Sequence, residues 1–145
     1  MNNFQNYINI MRLSQSIKHI FVIPGVIFGY YLTKELPELN KFIFSLISII
    51  LIASSNYIMN EICDRHYDIH HELKKNRVLI KKRISLKESY YLYFFCLFTG
   101  LLIAKILVNN FFFLVTIIFF ISAIIYNIQP LRFKNIPIID VITES

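Results

Sequence analysis

Residues 42–59 read FIFSLISIILIASSNYIM, an apolar stretch without a charged residue. A helix needs roughly 17–25 predominantly apolar residues to cross the hydrocarbon core of a bilayer, so this stretch is long enough to span it. Three more apolar windows, at 17–32, 90–108 and 111–128, lie in the same short chain. So many nearly uncharged windows favour helices that cross a membrane over helices in a soluble core.

The composition supports the same fold class. Of the 145 residues, 56% are hydrophobic and 17% are charged, whereas soluble domains are about 25% charged. This hydrophobicity excludes a disordered chain. The sequence therefore predicts an all-α membrane protein with four transmembrane helices plus the start of a fifth. The four helices are expected at about residues 17–33, 42–60, 89–108 and 111–128, and the fifth begins at Pro137.

The basic residues fall on one side of this arrangement. With alternating spans, twelve of the 15 Lys and Arg lie near the N-terminus, in segment 61–88 or in segment 129–136. Cytoplasmic loops carry an excess of Lys and Arg, so the N-terminus and both segments are predicted to be cytoplasmic. We expect an integral protein of the cell inner membrane. Topology then accounts for the net charge of +6, and no nucleic-acid partner is implied.

Polar residues gather where the second apolar window ends. Asn60, Asp64 and Asp68 are spaced i, i+4 and i+8, which places them on one face of a helix. Carboxylates at the end of an apolar span are costly unless a cation offsets their charge. Carboxylate and amide oxygens are ligands of Mg²⁺, which usually completes its shell with water and substrate phosphates. This face therefore predicts half of a magnesium–diphosphate site.

Two basic residues, Lys74 and Arg77, follow the acidic face directly. Arg can donate two parallel hydrogen bonds to a phosphate, and Lys supplies a compact positive charge. The two residues are therefore candidate ligands of the diphosphate. The remaining basic residues of segment 61–88 are interpreted as topology determinants that attract anionic lipid.

Three stretches, RLSQSIK at 12–18, NEICDRHYD at 60–68 and YNIQPLRFK at 126–134, carry further information. Together they resemble motifs of the UbiA superfamily of membrane prenyltransferases. Residues 60–68, NEICDRHYD, resemble the first aspartate-rich motif, NDxxDxxxD, with Glu61 in place of the usual Asp. Residues 12–18, RLSQSIK, are similar to the N-terminal RPxxWxK pattern of the superfamily. Residues 126–134, YNIQPLRFK, resemble the YSxPPLRLK stretch that precedes its fifth helix. The stretches occur in the order of the superfamily, each at an expected cytoplasmic helix end.

The resemblance implies a transferase whose substrates are a prenyl or polyprenyl lipid and a diphosphate-bearing molecule. It implies that Asn60, Asp64 and Asp68 hold Mg²⁺ and that both aspartates are catalytic. Because Glu61 differs from Asp in length and not in charge, Glu61→Asp is expected to be tolerated. The residues expected to bind the diphosphate are Lys18, Lys74, Arg77, Tyr126, Arg132 and Lys134.

The acceptor is less well defined by the sequence. Residues 71–77, HELKKNR, are similar to the HPxKxxRP segment of superfamily members that transfer phosphoribose to polyprenyl phosphate, which favours that branch. One alternative is an aromatic-acceptor prenyltransferase of quinone-type lipid biosynthesis. Another is a non-catalytic four-helix membrane protein. A CDP-alcohol phosphotransferase is disfavoured, because its motif requires Gly at the position of Asn60.

The superfamily also has a second aspartate-rich motif, in a half of the bundle that follows the motifs matched here. The chain therefore resembles the N-terminal part of a UbiA-type bundle, a partial transmembrane domain over residues 1–145. A separate C-terminal half is one expected partner. With one metal-binding face of two, the isolated chain is expected to be inactive.

Overall fold

The computed structural model describes residues 3–15, 22–70, 72 and 74–128. Within these residues the chain is helical and has no β-strand, which confirms the all-α prediction. The α-helices in chain order are α1 (Asn3–Met11), α2 (Val22–Thr33), α3 (Leu39–Asp68), α4 (Leu86–Ile103) and α5 (Asn110–Asn127). A short 3₁₀ helix forms at Lys74–Asn76, and a π-helical turn at Ala104–Val108 continues α4.

Three helices are long and apolar enough to cross a membrane: α3, α4 with its π-helical turn, and α5. They correspond to the second, third and fourth predicted spans and give the chain the character of an integral membrane protein. Helix α2 has 12 described residues, fewer than the roughly 17 that a span needs. Residues 16–21, and the fifth helix expected from Pro137, lie outside the described part of the chain.

The end of α3 corrects one predicted boundary. The helix was expected to stop at Asn60, where the hydropathy falls, yet it continues to Asp68. Its acidic side chains are enclosed by the protein, and Glu61 and Asp68 are each only 3% exposed. The last two turns are thus helix rather than loop, because their acidic side packs against the connection to α4, while His66 and Tyr67 on the other side are exposed.

Helix α4 begins at Leu86, slightly before the predicted start. The Ser85 hydroxyl accepts a hydrogen bond from the Glu88 N–H at 3.2 Å, and the Glu88 carboxylate accepts one from the Ser85 N–H at 2.7 Å. This reciprocal pair satisfies two backbone donors that a helix start leaves open. The Tyr7 hydroxyl of α1 also donates to Glu88, at 3.1 Å, which links α1, a helix that the hydropathy did not predict, to the start of α4.

The hydrophobic core lies between α3 and α4, which pack together more extensively than any other pair of described helices. It also contains one residue from α1 and three from the connection between α3 and α4. The core residues are Ile10, Ile58, Ile62, Val78, Leu79, Ile84, Tyr93, Cys96 and Leu97.

A close crossing holds α3 and α4 together near the middle of the spans. The Ser48 hydroxyl donates to the Gly100 carbonyl oxygen at 2.9 Å. A Cβ atom on Gly100 would lie 2.8 Å from Cγ1 of Ile52, which is too close for a carbon–carbon contact. A larger residue at this crossing would therefore force Ile52 or the helices to shift. Small residues and side-chain hydrogen bonds at such points are typical of helix packing in membranes.

The other two apolar helices contribute little to the core. None of the described residues of α2 is buried, and α5 buries only Thr116 and Asn127. Helix α5 starts at a tight turn, where the Asn109 side chain accepts a hydrogen bond from the Phe112 N–H at 2.7 Å. The break between α4 and α5 thus lies at Asn109, between the spans predicted at 89–108 and 111–128.

Candidate functional site at the end of helix α3

The predicted acidic face forms on the last turns of α3. Asn60 is half-buried there, while Asp64 and Asp68 are buried, at 8% and 3% exposure. Successive members are one helical turn apart, so their side chains share one face. The apolar part of the span ends directly before them, which puts this face at the expected edge of the hydrocarbon layer.

The basic flank folds back onto this face. The Arg77 guanidinium donates to one oxygen of the Asp68 carboxylate, and the Lys74 ammonium lies 3.8 Å from the other oxygen. The 3₁₀ turn at Lys74–Asn76 sets this geometry, with the Arg77 N–H donating to the Lys74 carbonyl at 2.9 Å. The structure therefore brings together three residues that the sequence predicted, and Asp68 already has two cationic neighbours.

Glu61 is a site residue that the sequence analysis did not assign. Its carboxylate accepts a hydrogen bond from the Leu79 N–H at 2.9 Å, across 18 positions of the chain. Leu79 and its neighbour Val78 are buried in the core. The sequence feature that could have indicated this contact is the apolar pair Val78–Leu79, which interrupts a strongly charged segment.

Arg12 is a second residue that was not assigned. Its guanidinium carbon lies 5.2 Å from the centre of the Tyr57 ring, within range of a cation–π interaction. Burial, and then repulsion by Arg77, lower the pKa of Arg12, while Glu61 opposes the shift. An arginine nevertheless stays protonated in proteins. The N-terminal segment thus adds a cation to the same end of α3, and its signal was the resemblance of residues 12–18 to a superfamily motif.

The structure describes only one of the four remaining predicted ligands. Tyr126 is half-buried in the last turn of α5. Lys18, Arg132 and Lys134 lie outside the described residues.

The fit of a metal ion can be judged from the donor atoms. The oxygens of Asn60, Asp64 and Asp68 have the chemistry that Mg²⁺ prefers. Among the described residues, however, no three His, Cys, Asp or Glu side chains gather into a metal-binding group. Asp68 is also paired with Arg77. These residues fit a partial site that needs further oxygen ligands, and they do not form a closed protein cage.

Comparisons with known proteins agree with this picture. The 4-hydroxybenzoate octaprenyltransferase of Legionella pneumophila (strain Paris) is 27% identical over 135 residues, which cover 90% of the chain and 46% of that relative. The protoheme IX farnesyltransferase 2 of Pseudomonas fluorescens (strain Pf0-1) is 36% identical over 83 residues, which cover 50% of the chain and 28% of that relative.

The chain spans about half the length of the first of these relatives, or less than a third of the second. No solved structure matches it significantly. The profile of the UbiA prenyltransferase family matches residues 21–143, which is most of the chain. The chain therefore belongs to the UbiA prenyltransferase family.

Proposed function

We propose that the chain acts in the transfer of a prenyl group from a prenyl diphosphate to an aromatic acceptor. The relative that matches 90% of the chain is named for octaprenyl transfer to 4-hydroxybenzoate. Both relatives described above are named as prenyltransferases. These names favour the aromatic-acceptor alternative over the phosphoribosyl transfer that residues 71–77 led us to favour.

The observation that carries the proposal is the contact of Arg77 and Lys74 with Asp68 at the end of an apolar span. A prenyl diphosphate has an apolar tail and a strongly anionic head. A site for it needs apolar helix faces beside a cluster of cations, and donors placed at the leaving group stabilise its developing charge. The end of α3 combines these features.

In the proposed reaction the allylic carbon–oxygen bond breaks and the diphosphate leaves. A ring carbon of the acceptor then bonds to the allylic carbon and loses its proton. Asn60, Asp64 and Asp68 would hold Mg²⁺, which when bound supplies charge neutralisation at the diphosphate. Arg77 and Lys74 would donate to phosphate oxygens. Because Arg77 occupies one oxygen of Asp68, Asp68 is expected to bind a metal more tightly once Arg77 turns to the phosphates, so metal and diphosphate are expected to favour each other's binding.

The outlying residues have supporting roles in this proposal. Lys18, Tyr126, Arg132 and Lys134 would complete the diphosphate site from the two cytoplasmic segments that resemble superfamily motifs. The orientation behind this assignment can be tested with single cysteines at Lys81 and Glu38, both exposed, in a Cys63→Ser, Cys96→Ser background. An impermeant thiol reagent added outside the cell should label position 38 and miss position 81. The reverse pattern would contradict a cytoplasmic site.

The activity itself is tested by transfer from labelled octaprenyl diphosphate to 4-hydroxybenzoate, with protoheme as a parallel acceptor. The chain is assayed alone and after co-expression with the C-terminal portion of the Legionella relative. We expect Mg²⁺-dependent prenylation of 4-hydroxybenzoate in the co-expressed sample and none from the chain alone. Transfer to protoheme only would overturn the acceptor class. Robust turnover by the chain alone would overturn the expected need for a second half.

A further inference from the structure

We propose that Glu61 is a positioning residue that holds the basic connection, residues 69–85, against the acidic end of α3. Through the Leu79 N–H it fixes where Arg77 and Lys74 stand. The consequence for diphosphate binding rests on the proposed function, whereas the anchoring contact does not.

The surroundings of Glu61 support an anchor rather than a metal ligand. Glu61 is about 100° from Asn60 around the helix but only about 20° from Asp68, so it lies at the edge of the acidic face, and its hydrogen bond rather than its direction distinguishes it. The side chain is buried, and its Oε1 is occupied by the Leu79 N–H at 2.9 Å. Burying a carboxylate is costly unless it is hydrogen-bonded, and this contact provides such a bond.

The connection is firmly seated around this bond. Val78, Leu79 and Ile84 are each no more than 6% exposed and belong to the same core cluster as Ile58 and Ile62 of α3. Apolar contacts have no preferred direction, so on their own they would let the connection shift along α3. A hydrogen bond to one backbone N–H fixes a single register of the connection along α3.

That register sets the position of the cations. Leu79 follows Arg77 by two positions, so the two Cα atoms are at most about 7 Å apart. A shift of Leu79 along α3 therefore moves Arg77 relative to Asp68. Among the described residues, the Glu61 side chain makes no hydrogen bond or ion pair with Asp68 or Arg77. We therefore assign its effect on the diphosphate site to this placement, beside the charge interaction of its carboxylate with Arg77.

The inference revises the expectation that Glu61→Asp is tolerated. An aspartate side chain is shorter by one carbon–carbon bond, about 1.5 Å, and a bond of 2.9 Å would then open beyond hydrogen-bonding range. Glu61→Gln keeps the length and an acceptor oxygen. Glu61→Asp therefore tests the length of the side chain, and Glu61→Gln tests its charge.

The test is amide hydrogen exchange at Leu79 in the 145-residue chain reconstituted in lipid nanodiscs. Losing a hydrogen bond to a charged group should speed exchange in Glu61→Asp about tenfold or more. Glu61→Gln should speed exchange less, by about fivefold at most, because a neutral acceptor keeps roughly half of the bond. Unchanged exchange at Gly100, in the α3–α4 crossing, shows that each variant is folded. Glu72→Asp shortens an exposed carboxylate in the same connection and is the matched control.

The second measurement is calorimetric binding of geranyl diphosphate with Mg²⁺ to the same variants, each co-expressed with the C-terminal portion of the Legionella relative. Glu61→Asp should weaken binding about tenfold, and Glu72→Asp should not. Native exchange at Leu79 in Glu61→Asp, or equally fast exchange in Glu61→Gln, would overturn the anchor. Fast exchange with unchanged diphosphate affinity would overturn its role in placing the cations. If the co-expressed native complex binds no diphosphate, the proposed function fails, while the exchange rates of the chain still decide the anchor.

Discussion

Two segments differ in burial from what their compositions predict. One is the connection between α3 and α4, and the other is helix α2. Residues 69–85 are rich in Lys and Arg, yet they place Val78, Leu79 and Ile84 in the core. Helix α2 is almost entirely apolar, yet none of its described residues is buried. Hydropathy therefore separates lipid-compatible from water-compatible segments in this chain, and it does not identify the segments that pack inside the protein.

The physical reason is that the lipid bilayer is itself an apolar solvent for the helices. Lipid tails are as apolar as leucine, so an apolar helix in a bilayer gains little from hiding its side chains against protein. Polar groups do gain, because an unpaired polar group in hydrocarbon is costly. The packed region of this chain is accordingly the one that contains Glu61, Asp68 and the Ser48–Gly100 hydrogen bond.

The largest effect is expected on the packed side of this comparison. Asp68→Ala removes a proposed metal ligand and leaves the largely buried Arg77 without its partner. Turnover of the co-expressed enzyme should fall about 10²-fold or more, and Asp64→Ala should act in the same direction. Glu35→Ala, an exposed carboxylate between α2 and α3, is the control. Near-normal turnover in either aspartate variant would contradict the metal-binding role.

Alanine substitutions at two glycines, Gly100 in α4 and Gly29 in α2, measure the difference in packing between the two helices. Gly100→Ala pushes a methyl group against Ile52 at the α3–α4 crossing, whereas a Cβ on Gly29 of α2 meets nothing within 4 Å. Overpacking should lower the free energy of unfolding of Gly100→Ala by about 1–3 kcal/mol. Gly29→Ala should be neutral or raise it by up to about 1 kcal/mol, through helix propensity. Equal losses in SDS-induced unfolding would show that α2 is packed as tightly as α4.

The ion pair should control when a metal can bind. Arg77→Gln leaves the buried Asp68 carboxylate without its closest cation, and a metal ion can then take that place. We expect Mn²⁺, followed by electron paramagnetic resonance in the absence of diphosphate, to bind about tenfold more tightly than to the native chain. Lys81→Gln removes an exposed charge from the same connection. The same gain in that control would mean that net charge, and not the pair, governs metal binding.

The smallest effect concerns a single hydroxyl. Ser48→Ala removes the hydrogen bond between α3 and α4, and such bonds in membrane proteins average about 0.6 kcal/mol. Ser122→Ala removes a hydroxyl that bonds only within exposed α5, to the Phe119 carbonyl. The control should change the free energy of unfolding by less than about 0.5 kcal/mol. A larger loss for Ser122→Ala than for Ser48→Ala would reverse the proposed contrast between packed and open helices.

Sequence patterns predicted the features of this fold that depend on residues close together in the chain. The i, i+4, i+8 spacing placed Asn60, Asp64 and Asp68 on one helix face, and the nearly uncharged windows located α3, α4 and α5. The anchor of Glu61 could not be predicted in this way, because it joins a side chain to a backbone N–H 18 positions away. Hydropathy also ended α3 too early, since it cannot show that polar side chains are enclosed by a later segment.

The link between Tyr7 and Glu88 bears on how the chain is made. The two residues are 81 positions apart. At a synthesis rate of about 5–20 residues per second, α1 leaves the ribosome about 4–16 s before Glu88 does. During that interval the hydrogen-bond acceptor of Tyr7 does not exist, although α3, the helix that α1 packs against, has already been made. The Tyr7–Glu88 bond is therefore a late event in the biogenesis of the chain, and it secures a helix whose contacts with α3 can form before it.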